Sequence, residues 1–182
     1  FWEADEWEGV GEGQTRLLYK DYEIVHGHPY IPRNQGQTAS CVGQSTAAAV
    51  DILAAVEIRM GEPEKAPPAG ASAHLIYGLS RVEIGQLGPE AGNGSWNIWG
   101  ARAVSEYGVV ARSNYALLGY DLSHDIEYDG QFSRNGAPFG LEILSKIHPV
   151  KKYLAIKTYE ECRDAIYMGY PVIVGSSQGF GD

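Results

Sequence analysis

Cysteine is scarce. The 182-residue chain has two, Cys41 and Cys162. Two are too few for the disulfide framework that holds small secreted domains together, so a reducing compartment suits the chain. Basic residues are outnumbered, 14 Lys and Arg against 23 Asp and Glu, for a formal net charge of -9. That balance argues against nucleic acid and against an anionic membrane surface as partners. No apolar run reads as long enough to span a bilayer. Metal-ligand clusters are also missing: His26 and His28 have one residue between them, but no carboxylate or Cys cluster stands nearby to complete a site. No metal and no cofactor is expected. The chain opens on Phe1 rather than Met, without a secretory leader, which reads as a processed product or part of something longer.

What is present fits a folded domain. Hydrophobic residues make up 44% and charged residues 20%, and the length suffices for one domain or two closely packed lobes. Gly, at 23, and Tyr, at 12, indicate loops and strands beside the helices.

One stretch organises the rest. Gln35-Gly36-Gln37-Thr38-Ala39-Ser40-Cys41 is polar and reads as a loop, whereas Gln44 to Met60 is rich in Ala, Val, Ile and Leu and free of Gly and Pro. The second part predicts a helix of about four turns, apolar nearly all round and therefore buried on most sides. Cys41 falls at or just before its start, where unpaired N–H groups and the positive end of the helix dipole converge. That field favours a thiolate, the nucleophilic form of cysteine. The alternative is a small Cys that only packs. Gln35, six residues earlier, could bring a side-chain amide beside the sulfur and, with the Cys41 N–H, form an oxyanion hole. Its bland alternative is a solvated loop residue.

This stretch resembles the active-site segment of papain-like cysteine peptidases, whose pattern is Gln-Gly-x-Cys-Gly-Ser-Cys-Trp. Gln35, Gly36, Ser40 and Cys41 match; Thr38 stands for the family's first Cys, Ala39 for Gly and Val42 for Trp. The first change removes a family disulfide. The resemblance continues at Asn93-Gly94-Ser95, ahead of a helix over about 97–107 that Gly108 stops. In the family a Gly-Gly loop there offers its backbone to an extended substrate, and Ser95 takes the place of the second Gly. A residue without bulk lets a peptide approach and pair strand-to-strand. Alone, the stretch reads equally well as an ordinary turn.

Elsewhere the pattern predicts an N-terminal arm, Phe1 to Val10, that docks Trp2 and Trp7. A weakly alternating strand is expected over Leu17–Val25 and a loop over Gly61–Gly70. A helix over Ser72–Val82 has Ser72 as N-cap and His74 on or near its surface. Gly119–Gly140, with Asp121, Asp125, Glu127 and Asp129, reads as a solvated loop that lacks the calcium-loop spacing. Lys151–Lys157 reads as a strand. Thr158-Tyr159-Glu160-Glu161 is a capping box opening a helix to Met168, with Gly169 as its stop. Pro171–Gly175 is a short apolar strand.

These readings combine into an α+β, papain-like two-lobe fold. Residues 1–33 form the arm, 34–114 the helical lobe and 115–182 a β-rich lobe, incomplete here. The resemblance implies a cysteine peptidase acting on peptide or protein substrates, with Cys41 as nucleophile and Gln35 in the oxyanion hole. Asn93, Gly94 and Ser95 then line the substrate side. A thiol peptidase also needs a His base. The family places it on a strand beyond the one matching Pro171–Gly175, so it is expected after residue 182, and His26, His28, His124 and His148 all lie in the wrong places. Two alternatives remain. One is a catalytically incomplete papain-like module of a larger assembly such as a phage particle, which would also fit the cysteine usage. The other is a cell-wall amidase, against which Gln35 argues.

Overall fold

The computed structural model describes residues 8–62 and 70–176. These hold seven α-helices and a small two-stranded sheet, a helix-rich composition compatible with the α+β class. Phe1 to Trp7 and most of the 61–70 loop lie outside the described residues.

The predicted long helix is present as α2, Cys41–Arg59, with Ser40 as its N-cap residue. It buries Val42, Gly43, Thr46, Ala47, Val50, Asp51 and Ala54 to Val56. At 19 residues it is long and apolar enough, by length and composition, to cross a membrane, contrary to the expectation from sequence. Core helices of water-soluble folds pass the same test. Here α2 packs against three other helices: α1 (Tyr19–His26), α3 (Ala73–Leu79) and α4 (Asn97–Glu106).

All seven residues of α3 are buried. It lies between two clusters. Leu75 and Leu79 join Ala103, Val110, Leu122, Phe132 and Leu141, whereas Ala73 and Ile76 join Ala47, Val50, Val104 and Val109. Ser72 caps it as predicted, accepting a hydrogen bond from Leu75 N–H. The predicted continuation to Val82 is present as a π-helical turn, Ser80–Ile84. Small residues let the helices approach. A methyl group on Gly43 of α2 would strike the Ala73 carbonyl, and one on Gly100 of α4 would come within 2.8 Å of Val42 Cγ1.

α4 ends at Glu106, one residue short of the expected 107, with Tyr107 as its cap and Gly108 beyond at φ +84°. The chain then runs beside the start of α3: Ser72 N–H donates to Val110 O and Arg112 N–H to Gly70 O, both at 2.8 Å. The sheet follows, β1 (Asn114–Tyr115) antiparallel to β2 (Tyr120–Asp121).

Several expectations are corrected. Leu17–Val25 is not a strand, since Tyr19–His26 is helical as α1. A Lys20–Glu23 ion pair at 2.8 Å and Tyr22 stacked on His26 at 4.1 Å, both contacts along one helix face, replace cross-strand partners. The 119–140 segment is not a solvated loop. It forms a 3₁₀ segment, Leu122–Tyr128, and α5, Asp129–Asn135, with Leu122, Asp125 and Phe132 buried. α6, Phe139–Ser145, follows. Neither Lys151–Lys157 nor Pro171–Gly175 is a strand among the described residues: both run without a ladder partner, and strand propensity is expressed only where one exists. The described part of 115–182 is therefore helical rather than β-rich. Its last helix, α7 (Tyr159–Met168), starts at the predicted cap. Thr158 Oγ1 accepts from Glu161 N–H, the Glu161 carboxylate accepts from Lys157 N–H, and Gly169 ends the helix in the left-handed conformation.

The N-terminal segment reaches α7. Asp164, almost fully buried, accepts from Gly9 N–H at 2.8 Å and Gly11 N–H at 3.0 Å, and Arg16 donates to Tyr167 O. Hydrogen bonds from the Arg163 guanidinium and from those two N–H groups hold the Asp164 carboxyl below its usual range.

Candidate functional site

Cys41 is the first residue of α2 and is exposed. The loop before it is shaped by local hydrogen bonds. Gly36 N–H donates to Asn34 Oδ1 at 2.8 Å, and Thr38 donates to the Gln35 carbonyl from its N–H (3.2 Å) and from its hydroxyl (2.8 Å). Gln35 is half-buried, and its side-chain amide takes no hydrogen bond among the described residues.

The loop is tied to the core by a directed chain of hydrogen bonds. The Gln44 amide nitrogen faces Ser40 Oγ at 3.4 Å and His74 Nε2 at 3.2 Å. Ser40 Oγ lies 2.7 Å from Thr38 Oγ1, whose own proton goes to the Gln35 carbonyl. Ser40 is thus the donor to Thr38 and the acceptor from Gln44. On the other side His74 Nε2 accepts from Gln44, and Nδ1–H donates to Asp129 at 3.0 Å. His74 is 1% exposed, so its expected surface position is corrected: it is a buried link between α2, α3 and α5.

A second clamp lies just before the loop. Arg33 pairs with Asp51 of α2 at 2.5 Å and donates to Ala71 O at 2.8 Å, while Asp51 accepts from Ala71 N–H at 2.7 Å. Asp125 accepts from Ser72 Oγ at 2.9 Å and from His74 N–H at 3.3 Å, with Arg112 Nε 4.0 Å away. Between these groups lies a polar cavity of about 170 Å³ bordered by Asn34, Gln44, His74, Arg112, His124 and Asp125.

The candidate substrate loop stands nearby. The fourth residue of α4, Gly100, touches Val42, the second residue of α2, so the two helix starts are neighbours within about a helical turn. Asn93, Gly94 and Ser95 immediately precede α4's cap residue, Trp96. Asn93 is exposed, Gly94 and Ser95 are half-buried and Trp96 is 66% exposed. Gly94 adopts φ +102°, and nothing lies within 4 Å of a methyl group built there, so its backbone conformation and not crowding selects glycine. Its main chain is already used: N–H donates to Tyr77 Oη at 2.9 Å, and the carbonyl accepts from Arg81. Ser95 differs. Its hydroxyl is turned inward onto Ser80 Oγ at 2.8 Å, while its N–H and carbonyl take no partner among the described residues.

None of the five His is hydrogen-bonded to Cys41 among the described residues. His26 packs on Tyr22 and His28, and among the described residues no group of three or more His, Cys, Asp or Glu is placed to hold a metal ion. The supporting roles of Thr38, Ser40, Gln44, His74 and Asp129 were missed in sequence. Only the Ser40–Gln44 spacing, one helical turn, carried a local signal for any of them. Comparisons of the chain with protein-family models, with curated proteins and with solved structures gave no match.

Proposed function

We propose that the chain carries the nucleophile-bearing part of a papain-like, two-lobed cysteine peptidase. The observation that carries this reading is the exposed Cys41 at the first turn of a largely buried 19-residue helix, behind a loop held from below by Gln44, Ser40 and Thr38. In this reading Cys41 Sγ attacks a peptide carbonyl carbon, and the carbonyl π electrons move onto oxygen. The Cys41 N–H and the Gln35 side-chain amide receive that oxyanion. Collapse of the adduct breaks the C–N bond and leaves a thioester, which water then hydrolyses. A His base supplied from outside residues 1–182 takes the thiol proton and delivers it to the leaving amine. The extended peptide pairs with the main chain of Ser95, unpaired among the described residues, beside Asn93 and Gly94.

A second reading is a papain-like module that binds a partner or builds a larger assembly without turnover. It is favoured by one observation: among the described residues no His is bonded to Cys41. Hydrolysis of denatured protein by the natural polypeptide, abolished by Cys41→Ala, supports the peptidase. Hydrolysis that survives Cys41→Ala sinks it. No hydrolysis and no labelling of Cys41 by thiol-directed probes points to the binding module. Cleavage confined to peptidoglycan stem peptides points to a cell-wall amidase.

A further inference from the structure

Arg81 is 2% exposed, yet among the described residues no carboxylate lies within ion-pair distance of it. A buried guanidinium without an acid is costly unless its donors are met. Here they are met almost wholly by one loop. Nη1 donates to Gly92 O at 2.8 Å and to Gly94 O, Nη2 donates to Ala91 O at 3.4 Å, and Nε donates to Ser133 O of α5 at 3.0 Å. The guanidinium also sits 5.5 Å from the centre of the Tyr77 ring, and the Tyr77 hydroxyl accepts from Gly94 N–H. Ser80 completes the set. Its own proton goes to Tyr77 O, so it is Ser95 Oγ–H that donates to Ser80. Three residues across the α3–π-turn junction thus engage the inward-facing polar groups of 91–95, and among the described residues nothing pairs with the main chain of Ser95.

We propose that Arg81 and Tyr77 are positioning residues for peptide recognition: they hold the 91–95 loop in the one conformation that presents the Ser95 N–H and carbonyl to an extended peptide. The planar fork is what suits Arg to this task, because it spans three carbonyls of one turn at once. Neither residue touches the peptide or the sulfur. This inference rests on the reading of Cys41 as a nucleophile.

The experiment compares two alkylating reagents on Cys41, with the site of labelling resolved by mass spectrometry. Iodoacetamide reports the sulfur alone, and an epoxysuccinyl peptide reports the sulfur together with the non-primed groove. Arg81→Met is expected to slow the epoxysuccinyl peptide by about tenfold or more, since misplaced positioning groups cost that much, and to leave the iodoacetamide rate within about twofold. Arg81→Lys should fall between. Tyr77→Phe keeps the ring and loses only the acceptor for Gly94 N–H, so it decides the matter if Arg81→Met fails to fold. It should slow the peptide reagent by about threefold or more. Equal slowing of both reagents, or no slowing of either in folded variants, overturns the positioning role. If wild-type Cys41 reacts with iodoacetamide and not with the peptide reagent, the proposal fails while the nucleophile stands. If it reacts with neither, the nucleophile reading itself has failed.

Discussion

The Arg33–Asp51 clamp offers the most quantitative test of how the Gln35 loop is anchored. Asp51 and Arg33 side chains are 7% and 11% exposed, and one carboxylate serves both Arg33 and Ala71 N–H. Asp51→Ala leaves a guanidinium without its anion and a buried N–H without an acceptor. Removing one partner of such a pair costs about 3–5 kcal/mol. Arg33 also borders the polar cavity and keeps its bond to Ala71 O, so water and that carbonyl recover part of the loss. The better helix propensity of Ala returns at most about 0.5 kcal/mol. The net expectation is a loss of about 2–4 kcal/mol, or roughly 4–16 °C in Tm for a chain of this size. Asp51→Asn keeps the acceptor for Ala71 N–H and should cost about half as much. Urea unfolding of both variants, with Arg33→Met and the double variant, closes a cycle whose coupling should exceed about 1 kcal/mol. A loss for Asp51→Ala under about 0.5 kcal/mol, or simple additivity with Arg33→Met, would show that the clamp does not anchor the loop.

Three further outcomes are expected. Ser72→Ala removes the cap of α3 and the hydroxyl that meets Asp125, and should lower stability by about 1–2 kcal/mol in the same unfolding assay. Burial pushes the Glu83 carboxyl up, and one of its oxygens has no partner while the other accepts from Ala137 N–H. A raised acid favours its protonated form in the fold, so stability is fullest at low pH and falls as pH rises through the folded value. Glu83→Gln should therefore gain on wild type between pH ~4 and pH 8, by no more than about 1 kcal/mol at this half-buried position, read from Tm at the two pH values. Asp164 has the opposite sign. Its lowered carboxyl stabilises the fold above pH ~4, and that contribution disappears as pH falls through the folded value. Asp164→Asn should be less stable than wild type at pH 7 and nearly equal to it at the acid end of a melting series.

Much of the helical part was legible because its signals are local. Ser72 and Thr158 announce helix starts, Gly108 and Gly169 announce stops, and the Ala-rich run after Cys41 announces a buried helix. What escaped depended on distant partners. Asp125 and Asp129 look solvent-bound among polar neighbours, yet they meet Ser72 and His74, 53 and 55 residues away. His74 reads as a surface residue until Gln44 and Asp129 are placed on its two nitrogens. Residues 151–157 and 171–175 have the composition of strands but find no ladder to join among the described residues, and α1 is a short helix whose weak alternation imitates a strand. At the candidate site, Cys41 and Gln35 could be named from their order along the chain. The hydrogen bonds that fix the loop between them, and the Arg81 tether of 91–95, arise only from tertiary packing.

The measurement that bears most directly on the account is site-resolved mass spectrometry of the folded natural polypeptide after brief exposure to an epoxysuccinyl peptide. The account predicts a single adduct on Cys41, absent in Cys41→Ala, with Cys162 unmodified. Modification of Cys162 in preference to Cys41, or an unmodified Cys41 at every pH at which the fold is intact, would contradict it.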